Sequence, residues 1–312
     1  MLTLNGGVVL QTELHGTPIL ALMIRPHTMK FKGALWVGAI AAGALIVAGC
    51  SMVAAGGGAK ARGSTLAGPA GQLAFDDGGR GGMPVLFVHS FAGSSAHWRA
   101  QLAHLRATRR AVAMDLRGHG RSDPPRNEDF AVPALAADIA AVADGLGLKR
   151  FVLVGHSMGG AAAVAYAGQH PGRVAGLVLV GTPGKAAPAQ AQQIMTSLQA
   201  DYDKVMASYW DALLVDAQPS VRSLLQAERT RVAREPSMAI ISAIFAFDPL
   251  PALAAYPGPK LVIDITRSDN PGALFRQVGI AFQLVEGTSH WVQLDKPQDF
   301  NARLDVFLAQ AQ

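Results

Sequence analysis

Short apolar runs recur along the chain from residue 85 onward, each bounded by polar or turn-forming residues. The first three runs are four residues long, and each is followed by a stretch of helical pattern. A continuous apolar run of this length is typical of a strand buried on both faces, as in a parallel sheet between layers of helices. The pattern predicts strands at residues 85–88, 111–114, 151–154, 174–180, 261–265 and 282–285. We therefore expect an α/β fold with a mostly parallel central sheet.

The strand pattern stops between Pro183 and Pro257, and helical patterns take its place. These patterns cover residues 190–214, 221–233 and 238–247. A helical excursion between two strands of one sheet indicates a cap inserted over a cleft. We predict a helical cap at 183–257, with an α/β core formed by 72–182 and 258–312. Further helical packing around the core is the alternative that the pattern leaves open.

The segment before residue 72 has a different character. Two lysines, Lys30 and Lys32, precede an uncharged apolar run at 33–48, which is the arrangement of a secretory signal. The residues that follow, 51–71, are rich in glycine, alanine and serine, a composition typical of a flexible tether. We predict a leader at 1–49 and a tether at 50–71, with either Met1 or Met29 as the start.

The apolar run ends at Val47-Ala48-Gly49-Cys50, which resembles the bacterial lipoprotein box, whose cysteine is acylated. Cys50 is the only cysteine of the chain. The resemblance implies an exported protein that is anchored in the cell-envelope membrane through lipid on Cys50. An unmodified cysteine in an ordinary cleaved signal or a short membrane helix is the alternative.

Composition and charge exclude several classes of protein. A single cysteine in 312 residues rules out an intramolecular disulfide, a four-cysteine zinc site and dithiol redox chemistry. The formal net charge is +5, but basic residues after Cys50 alternate with acidic ones instead of forming a Lys/Arg stripe. We therefore expect no nucleic-acid partner.

The strongest chemical signal is Gly155-His156-Ser157-Met158-Gly159, which follows a predicted strand and precedes an alanine-rich helical run. This is the G-x-S-x-G nucleophile elbow in its strand, turn and helix context. The glycines on either side of the serine are needed because the bend leaves no room for a Cβ atom. Ser157 is therefore the candidate nucleophile, and a purely structural turn that contains a serine is the alternative.

Four motifs in sequence order resemble the α/β-hydrolase fold superfamily, in particular its branch of serine esterases, haloperoxidase-like enzymes and C–C hydrolases. The motifs occupy residues 87–93, 115–123, 155–159 and 287–291, and the resemblance covers about residues 71 to 308. The superfamily's dehalogenases and epoxide hydrolases carry aspartate at the elbow, so Ser157 argues against both activities. The resemblance implies no metal and no organic cofactor.

A serine hydroxyl needs a general base, and that base needs a carboxylate to hold its tautomer. The resemblance implies the chain order serine, acid, histidine, which selects His290 in the loop after the last predicted strand. Three other histidines lie in helical patterns where we expect solvent exposure: His97, His104 and His170.

The acid is expected on the loop after the strand predicted at 261–265, and we select Asp269. Relatives have a glycine three residues before this acid, whereas this chain has Thr266. Asp264, inside the predicted strand, is the alternative.

The resemblance further assigns the two oxyanion-hole N–H groups to Phe91 and Met158. Relatives have glycine immediately before the first of these positions, and this chain has Ser90. We expect Trp98 and Trp291 to pack rather than to stack on a substrate.

Taken together, these features predict a serine hydrolase that cleaves a small-molecule carboxylic ester or related acyl bond through an acyl-enzyme. Two alternatives remain at this stage. One is C–C bond hydrolysis with the same triad, and the other is a catalytically silent surface-binding module on a hydrolase scaffold.

Overall fold

A single eight-stranded sheet runs through the computed structural model, which describes residues 64–265, 273–280 and 282–311. The strands are β1 Ser64–Ala67, β2 Gln72–Gly78, β3 Val85–Val88, β4 Ala111–Met114, β5 Phe151–His156, β6 Val174–Val180, β7 Lys260–Ile265 and β8 Phe282–Val285. Their order in the sheet is β1-β2-β4-β3-β5-β6-β7-β8. The pairs β1–β2 and β2–β4 are antiparallel, and all other pairs are parallel. All six predicted strands are therefore confirmed, and β1 and β2 are additional.

Helices cover both faces of this sheet. They are α1 Arg99–Leu105, α2 Val132–Gly145, α3 Met158–Gln169, α4 Pro188–Ala200, α5 Tyr202–Leu213, α6 Pro219–Glu228, α7 Arg234–Ala246, α8 Pro249–Ala255, α9 Leu274–Val278, α10 Val292–Asp295 and α11 Pro297–Gln310, with a 3-10 helix at Ser95–Trp98. Alternate residues of β5 pack into two different hydrophobic clusters, one on each face of the sheet. Phe151 and Leu153 pack on the side of α2 and α3, whereas Val152 and Val154 pack on the side of α1 and α11. Burial on both faces explains why this strand is apolar throughout.

The described structure contains a strand that lies before residue 72, the predicted start of the core. Residues 64–67, inside the range assigned to a tether, form β1 and pair with β2. Most of β1 is exposed, and only Leu66 packs against the core. An edge strand held mainly by backbone hydrogen bonds leaves little hydrophobic pattern, which is why composition alone misread it. The rest of the predicted leader and tether lies outside the described residues.

The helical segment between β6 and β7 divides into two parts. Helix α8 packs directly on α3, where a Cβ atom at Gly168 would be 2.6 Å from the carbonyl oxygen of Ala252. The Tyr256 hydroxyl, just after α8, donates a hydrogen bond of 3.1 Å to the carbonyl oxygen of Val174 in β6. Helix α8 thus belongs to the core layer, and the cap predicted at 183–257 is too long at its carboxyl end. The cap, as used below, consists of α4 to α7.

Within the described ranges no single helix has both the length and the apolar composition to cross a membrane. Helices α7 and α8 meet that requirement only as a pair, with a bend of 60° between them.

Candidate active site

Ser157 lies alone between β5, which ends at His156, and α3, which begins at Met158. Its backbone angles are φ 52° and ψ −115°, a region that side-chain-bearing residues rarely adopt. A Cβ atom at Gly155 would be 2.5 Å from the carbonyl oxygen of Gly159, and one at Gly159 would be 2.7 Å from the carbonyl oxygen of Val88. Helix α3 therefore lies so close to β5 and to the end of β3 that only glycine fits at positions 155 and 159. Strained backbone of this kind is a common feature of functional sites.

The loop after β3 brings Ser90 and Phe91 to the same end of the sheet. The Ser90 carbonyl oxygen accepts hydrogen bonds from His89 Nδ1 (2.7 Å) and from the Gly93 N–H (3.0 Å). Because the C=O and N–H of a trans peptide point in opposite directions, the Phe91 N–H points away from both donors. Among the described residues it has no hydrogen-bond acceptor.

The His89 ring is held as one neutral tautomer. Its Nε2 accepts a hydrogen bond of 3.0 Å from the Leu116 N–H, so the proton is on Nδ1. Burial, followed by the charge of His119, lowers the pKa of His89 to about 3. His89 therefore acts as a fixed support for the peptide between Ser90 and Phe91.

Met158 supplies the second predicted N–H group. It is the first residue of α3, where the backbone N–H groups have no partner within the helix. The same helix end carries the positive pole of the helix dipole, so an anion beside Ser157 is stabilised there.

His290 lies in the loop between β8 and α10, with its ring against the end of β6. A Cβ atom at Gly181 would be 2.6 Å from Cε1 of that ring. The Nε2 atom of His290 is buried and has no hydrogen-bond partner among the described residues. Burial lowers the pKa of His290 to about 4, so the ring is neutral at neutral pH. It is therefore in the state that a general base requires.

The backbone of His290 is fixed from two sides. Its carbonyl oxygen accepts a hydrogen bond of 3.0 Å from His156 Nε2, and its N–H donates one of 3.1 Å to the Leu213 carbonyl oxygen at the end of α5. His156 Nδ1 in turn accepts from the Gln293 side-chain amide at 3.1 Å. Burial, followed by the charge of His290, lowers the pKa of His156 well below its usual value. The loop at 286–291, called the histidine loop below, is thus attached both to the sheet and to the cap.

Asp295 adds a second link between the histidine loop and the cap, and nothing in the local sequence pattern singled it out. Its Oδ2 accepts hydrogen bonds from the Ser289 N–H (2.8 Å) and the Ser289 hydroxyl (2.5 Å). Its Oδ1 accepts one of 2.7 Å from the Gln218 N–H, directly before α6. One carboxylate therefore joins the residue before His290 to the cap.

A cavity of about 10 Å³ lies at the centre of these elements. Its walls are Ser90, Phe91, Ser157, Tyr209, Trp210, Leu213, His290 and Trp291. This volume has room for about one water molecule. Trp210 from α5 stacks on Trp291, with ring centroids 5.5 Å apart and planes 10° apart. The cap therefore closes the space above Ser157, and the predicted packing role of Trp291 includes contact with the cap.

A larger depression of about 520 Å³ lies elsewhere, along the glycine-rich loop at 78–82. Pro84 and Arg110, which border it, directly precede β3 and β4, whereas Ser157 follows the carboxyl end of β5. The depression is thus at the opposite edge of the parallel sheet from the Ser157 cavity, and we assign no chemistry to it.

The two acid candidates differ in what the structure describes. Asp269 and Thr266 lie outside the described residues, as does Cys50. Asp264 is a buried residue of β7 whose Oδ1 accepts a hydrogen bond of 2.8 Å from the N–H of Ile265. Burial raises the pKa of Asp264 to about 6. Among the described residues no carboxylate is hydrogen-bonded to His290, so the choice of acid stays a prediction.

His97 corrects one expectation. It was expected to be exposed but is only 1% accessible, and its Nε2 lies 2.6 Å from Glu228 Oε2 in α6. The partner is 131 residues away in sequence, so local periodicity could not reveal it. The pair forms a third link between core and cap. His104 pairs with Asp305 in a largely exposed contact, as expected from its pattern.

No group of three or more His, Cys, Asp or Glu side chains within the described ranges is arranged to hold a metal ion.

Comparison with known proteins identifies the architecture. Residues 83–209 match the family model for the α/β hydrolase fold. An esterase structure from Thermogutta terrifontis superposes with a TM-score of 0.69 at 24% identity, covering 80% of this chain and 99% of that one. These findings confirm the predicted α/β-hydrolase fold.

Three curated relatives are similar in sequence. The acetyltransferase component of an acetoin cleaving system from Pseudomonas putida is 33% identical over 152 residues. The aligned region is 49% of this chain and 41% of that protein, so the chain spans less than half the length of this relative. Epoxide hydrolase 3 of Xenopus tropicalis is 27% identical over 72% of this chain and 71% of its own length. The sn-1-specific diacylglycerol lipase ABHD11 of Mus musculus is 29% identical over 72% of this chain and 80% of its own length.

Proposed function

We propose that this chain, which has the α/β-hydrolase fold, is a serine hydrolase that cleaves a carboxylic ester or a related acyl bond. The observation that carries the proposal is the cavity that Ser157 shares with His290. Ser157 stands in the strained turn between β5 and α3, and His290 offers a buried, neutral Nε2 with no described partner. A nucleophile and a base that border one small cavity are the minimum for covalent acyl transfer.

In the proposed reaction His290 Nε2 takes the proton of the Ser157 hydroxyl while Oγ attacks the carbonyl carbon. The tetrahedral intermediate then collapses, the bond to the leaving oxygen breaks, and His290 returns the proton to the departing alcohol. Water, deprotonated by the same ring, attacks the acyl carbon, the bond from that carbon to Ser157 Oγ breaks, and His290 returns the proton to Oγ as the acid leaves. The oxyanion is stabilised by the N–H groups of Phe91 and Met158, and the lack of a described acceptor for either group supports that role.

For the acid of the triad we retain Asp269, on the loop after β7, and Asp264 as its alternative. The carboxylate would hold His290 in the tautomer that leaves Nε2 free and would stabilise the imidazolium. Asp264 lies inside β7 and accepts a hydrogen bond from the next residue of its own strand. A strand residue has less freedom to approach the histidine loop than a residue of the following loop, which favours Asp269.

The character of the cavity suggests the class of substrate. Its walls are aromatic, aliphatic and hydroxyl side chains with one neutral imidazole, and none of them carries a formal charge. An ionised carboxylate or phosphate beside Ser157 would lose hydration without gaining a charged partner. We therefore propose uncharged esters as substrates. Because the cavity holds about one water molecule, Tyr209, Trp210 and Leu213 of α5 must move aside to admit an acyl group.

One curated relative is named an epoxide hydrolase. We do not extend that activity to this chain, since epoxide hydrolases of this superfamily use an aspartate at the elbow, where this chain has Ser157. A diacylglycerol lipase among the relatives is consistent with ester chemistry.

The test is hydrolysis of uncharged chromogenic esters of increasing acyl length by wild-type protein, Ser157→Ala and Ser223→Ala. Ser223 is an exposed serine of α6 and serves as the matched control. We expect Ser157→Ala to lose at least about 10³-fold in turnover without a change in circular dichroism, and Ser223→Ala to match wild type. Normal turnover in Ser157→Ala would show that the elbow is a structural turn.

We also propose, from the sequence alone, that the protein is exported and lipidated at Cys50. Cys50→Ser should remove the protein from the detergent-soluble membrane fraction and abolish incorporation of radiolabelled fatty acid. Because one acyl chain binds a membrane only marginally, stable retention of the wild type would imply more than one chain. Unchanged fractionation and mass of Cys50→Ser would reject the proposal.

A further inference from the structure

Ser90 is a buried residue of the cavity wall whose side chain the reaction described above does not use. It is 2% accessible. Its hydroxyl oxygen accepts a hydrogen bond of 3.2 Å from Trp291 Nε1–H. Trp291 is the residue after His290, so this contact joins the loop after β3 to the histidine loop.

The chemistry of the two partners determines the direction of this hydrogen bond. An indole N–H can only donate, so the Ser90 hydroxyl must accept and its own proton stays available. Among the described residues this hydroxyl has no acceptor. Ser90 lines the same cavity as Phe91, Ser157 and His290, and that cavity has room for about one water molecule. The hydroxyl with a free proton therefore belongs to a residue of the cavity wall that also contains the nucleophile and the base.

The position of Ser90 is tightly fixed. Its carbonyl oxygen is held by His89 Nδ1 and by the Gly93 N–H, and its hydroxyl by Trp291. Trp291 is itself buried in the core. A hydroxyl that already accepts one hydrogen bond is polarised and donates a stronger one. Such preorganised donors are effective at stabilising charge that appears only in the transition state.

We propose that the Ser90 hydroxyl is a third oxyanion donor, alongside the N–H groups of Phe91 and Met158. This inference rests on the proposed acyl-transfer function. The hydroxyl hydrogen-bonds to the carbonyl oxygen as negative charge develops there and keeps its own proton throughout. It takes part in no bond making or breaking. Ser90 is thus a catalytic residue that acts on the tetrahedral intermediate and contributes little to binding of the ground state.

The first experiment compares Ser90→Ala with Ser94→Ala on an ester that wild type hydrolyses. Ser94 is a buried serine of the same loop that does not border the cavity, which makes it the matched control. Loss of one oxyanion donor lowers kcat by about 10²–10³ in a well-studied protease. For one donor of three we expect a fall of about 10- to 100-fold in kcat, with KM within about twofold of wild type. Ser94→Ala should stay within about twofold in both constants.

A second measurement separates transition-state stabilisation from structural support. Inhibition by an alkyl boronic acid, which forms a tetrahedral adduct with the serine, should weaken in Ser90→Ala by about the factor lost in kcat/KM. The pH dependence of kcat/KM should not change, because Ser90 does not titrate. Boronic acid affinity equal to that of wild type would overturn the inference.

The removal of the Ser90 hydroxyl also leaves Trp291 Nε1–H without its acceptor, and a double-mutant cycle accounts for this effect. If Ser90 served only to satisfy the indole, Ser90→Ala would cost nothing further in the Trp291→Phe background. If Ser90 stabilises the oxyanion, most of its effect on kcat persists in that background. Loss of the effect there overturns the inference.

The proposed function and the proposed role of Ser90 would be overturned by different results. Wild-type protein that hydrolyses no ester and reacts with no boronic acid would overturn the proposed function, and this inference with it. Active wild type beside a fully active Ser90→Ala would overturn this inference alone.

Discussion

The elbow around Ser157 is held by close backbone packing of neighbouring elements, whereas the cap above it is joined to the site by separate contacts between residues that are distant in the sequence. At the elbow, α3 approaches both β5 and the end of β3 so closely that no Cβ atom fits at Gly155 or Gly159. The described links from the cap to the site include the Leu213–His290 backbone hydrogen bond, the Trp210–Trp291 stack, the Phe91–Trp210 ring contact, the Gln218–Asp295 hydrogen bond and the His97–Glu228 pair.

The difference assigns the reacting groups and the control of substrate entry to different parts of the molecule. The groups that would react lie on the rigid side, where small shifts cost much of the rate. The side chains that fill the cavity from above, Tyr209, Trp210 and Leu213, all come from one helix of the cap. We expect that helix to shift as substrate enters, while the close packing of backbone around Gly155 and Gly159 keeps the elbow in place. We expect changes on the rigid side to affect turnover and changes in the cap to affect substrate range.

The largest effect is expected at the acid. Asp269→Asn keeps the shape of the side chain but removes the charge that supports the imidazolium, and in a well-studied protease triad this change lowers kcat by about 10⁴. We expect a loss of about that order or somewhat less, with melting temperature nearly unchanged. Asp264→Asn should alter melting more than turnover, because Asp264 is buried in β7. Turnover and melting of both variants, measured side by side, make the comparison. An inactive but folded Asp264→Asn beside an active Asp269→Asn would transfer the role to Asp264.

The next largest effect is expected at the elbow glycine. The Cβ atom of Gly159→Ala would overlap the carbonyl oxygens of Val88 and His89 and push β3 away from α3. We expect about 3 kcal/mol of destabilisation and at least about 100-fold lower turnover. Chemical denaturation and ester assays give both values. Gly172→Ala is the control, since its Cβ atom would meet nothing within 4 Å. An active, stable Gly159→Ala would contradict the rigid description of the elbow.

A cap variant should behave differently. Trp210→Ala removes the ring that stacks on Trp291 and enlarges the cavity from above. We expect kcat/KM for long-chain esters to rise about tenfold relative to that for acetate esters, with kcat on acetate within about threefold of wild type. The free energy of unfolding should fall by about 3 kcal/mol, because the side chain is buried. An ester chain-length series checks the selectivity. An equal loss of kcat/KM for all chain lengths would show that Trp210 supports catalysis and does not control substrate range.

The smallest expected effect is a shift in the midpoint of the pH profile of kcat/KM. Burial lowers the pKa of His290 to about 4, and a charged Asp269 nearby would raise it. The ring must be neutral to accept a proton, so activity is lost as pH falls through this pKa. We expect half-maximal kcat/KM between about pH 4 and 6.5, on the acid side of the unperturbed histidine value. Asp269→Asn should move the midpoint further into acid. Circular dichroism at each pH controls for unfolding, and a midpoint above 6.5 would contradict a buried base.

The sequence supported prediction of the parts of the fold that local pattern controls. Each strand of the parallel sheet carries its own apolar run, and the elbow carries its own glycines, so both were found without coordinates. The edge strand β1 was missed because its pairing is through backbone groups and its side chains are mostly exposed. The cap boundary was misplaced because α8 and the cap helices have similar composition and differ only in their partners.

The links between cap and site were not predictable for a related reason. Glu228 and His97 are 131 residues apart, and Asp295 lies 77 residues from Gln218. Neither pair leaves a periodic or motif-like signal in one sequence. The substitution of Ser90 for the usual glycine was visible in the sequence, but only its hydrogen bond with Trp291 gave it a possible role.

The most direct test of the central claim, that Ser157 is a nucleophile activated by His290, is site mapping after reaction with a fluorophosphonate. Intact mass and peptide fragmentation are compared for wild type and His290→Gln. The account predicts one adduct per wild-type chain, located on Ser157, and labelling at least about 100-fold slower in His290→Gln. An unlabelled but folded wild type, an adduct on another residue, or equal labelling of both proteins would contradict it.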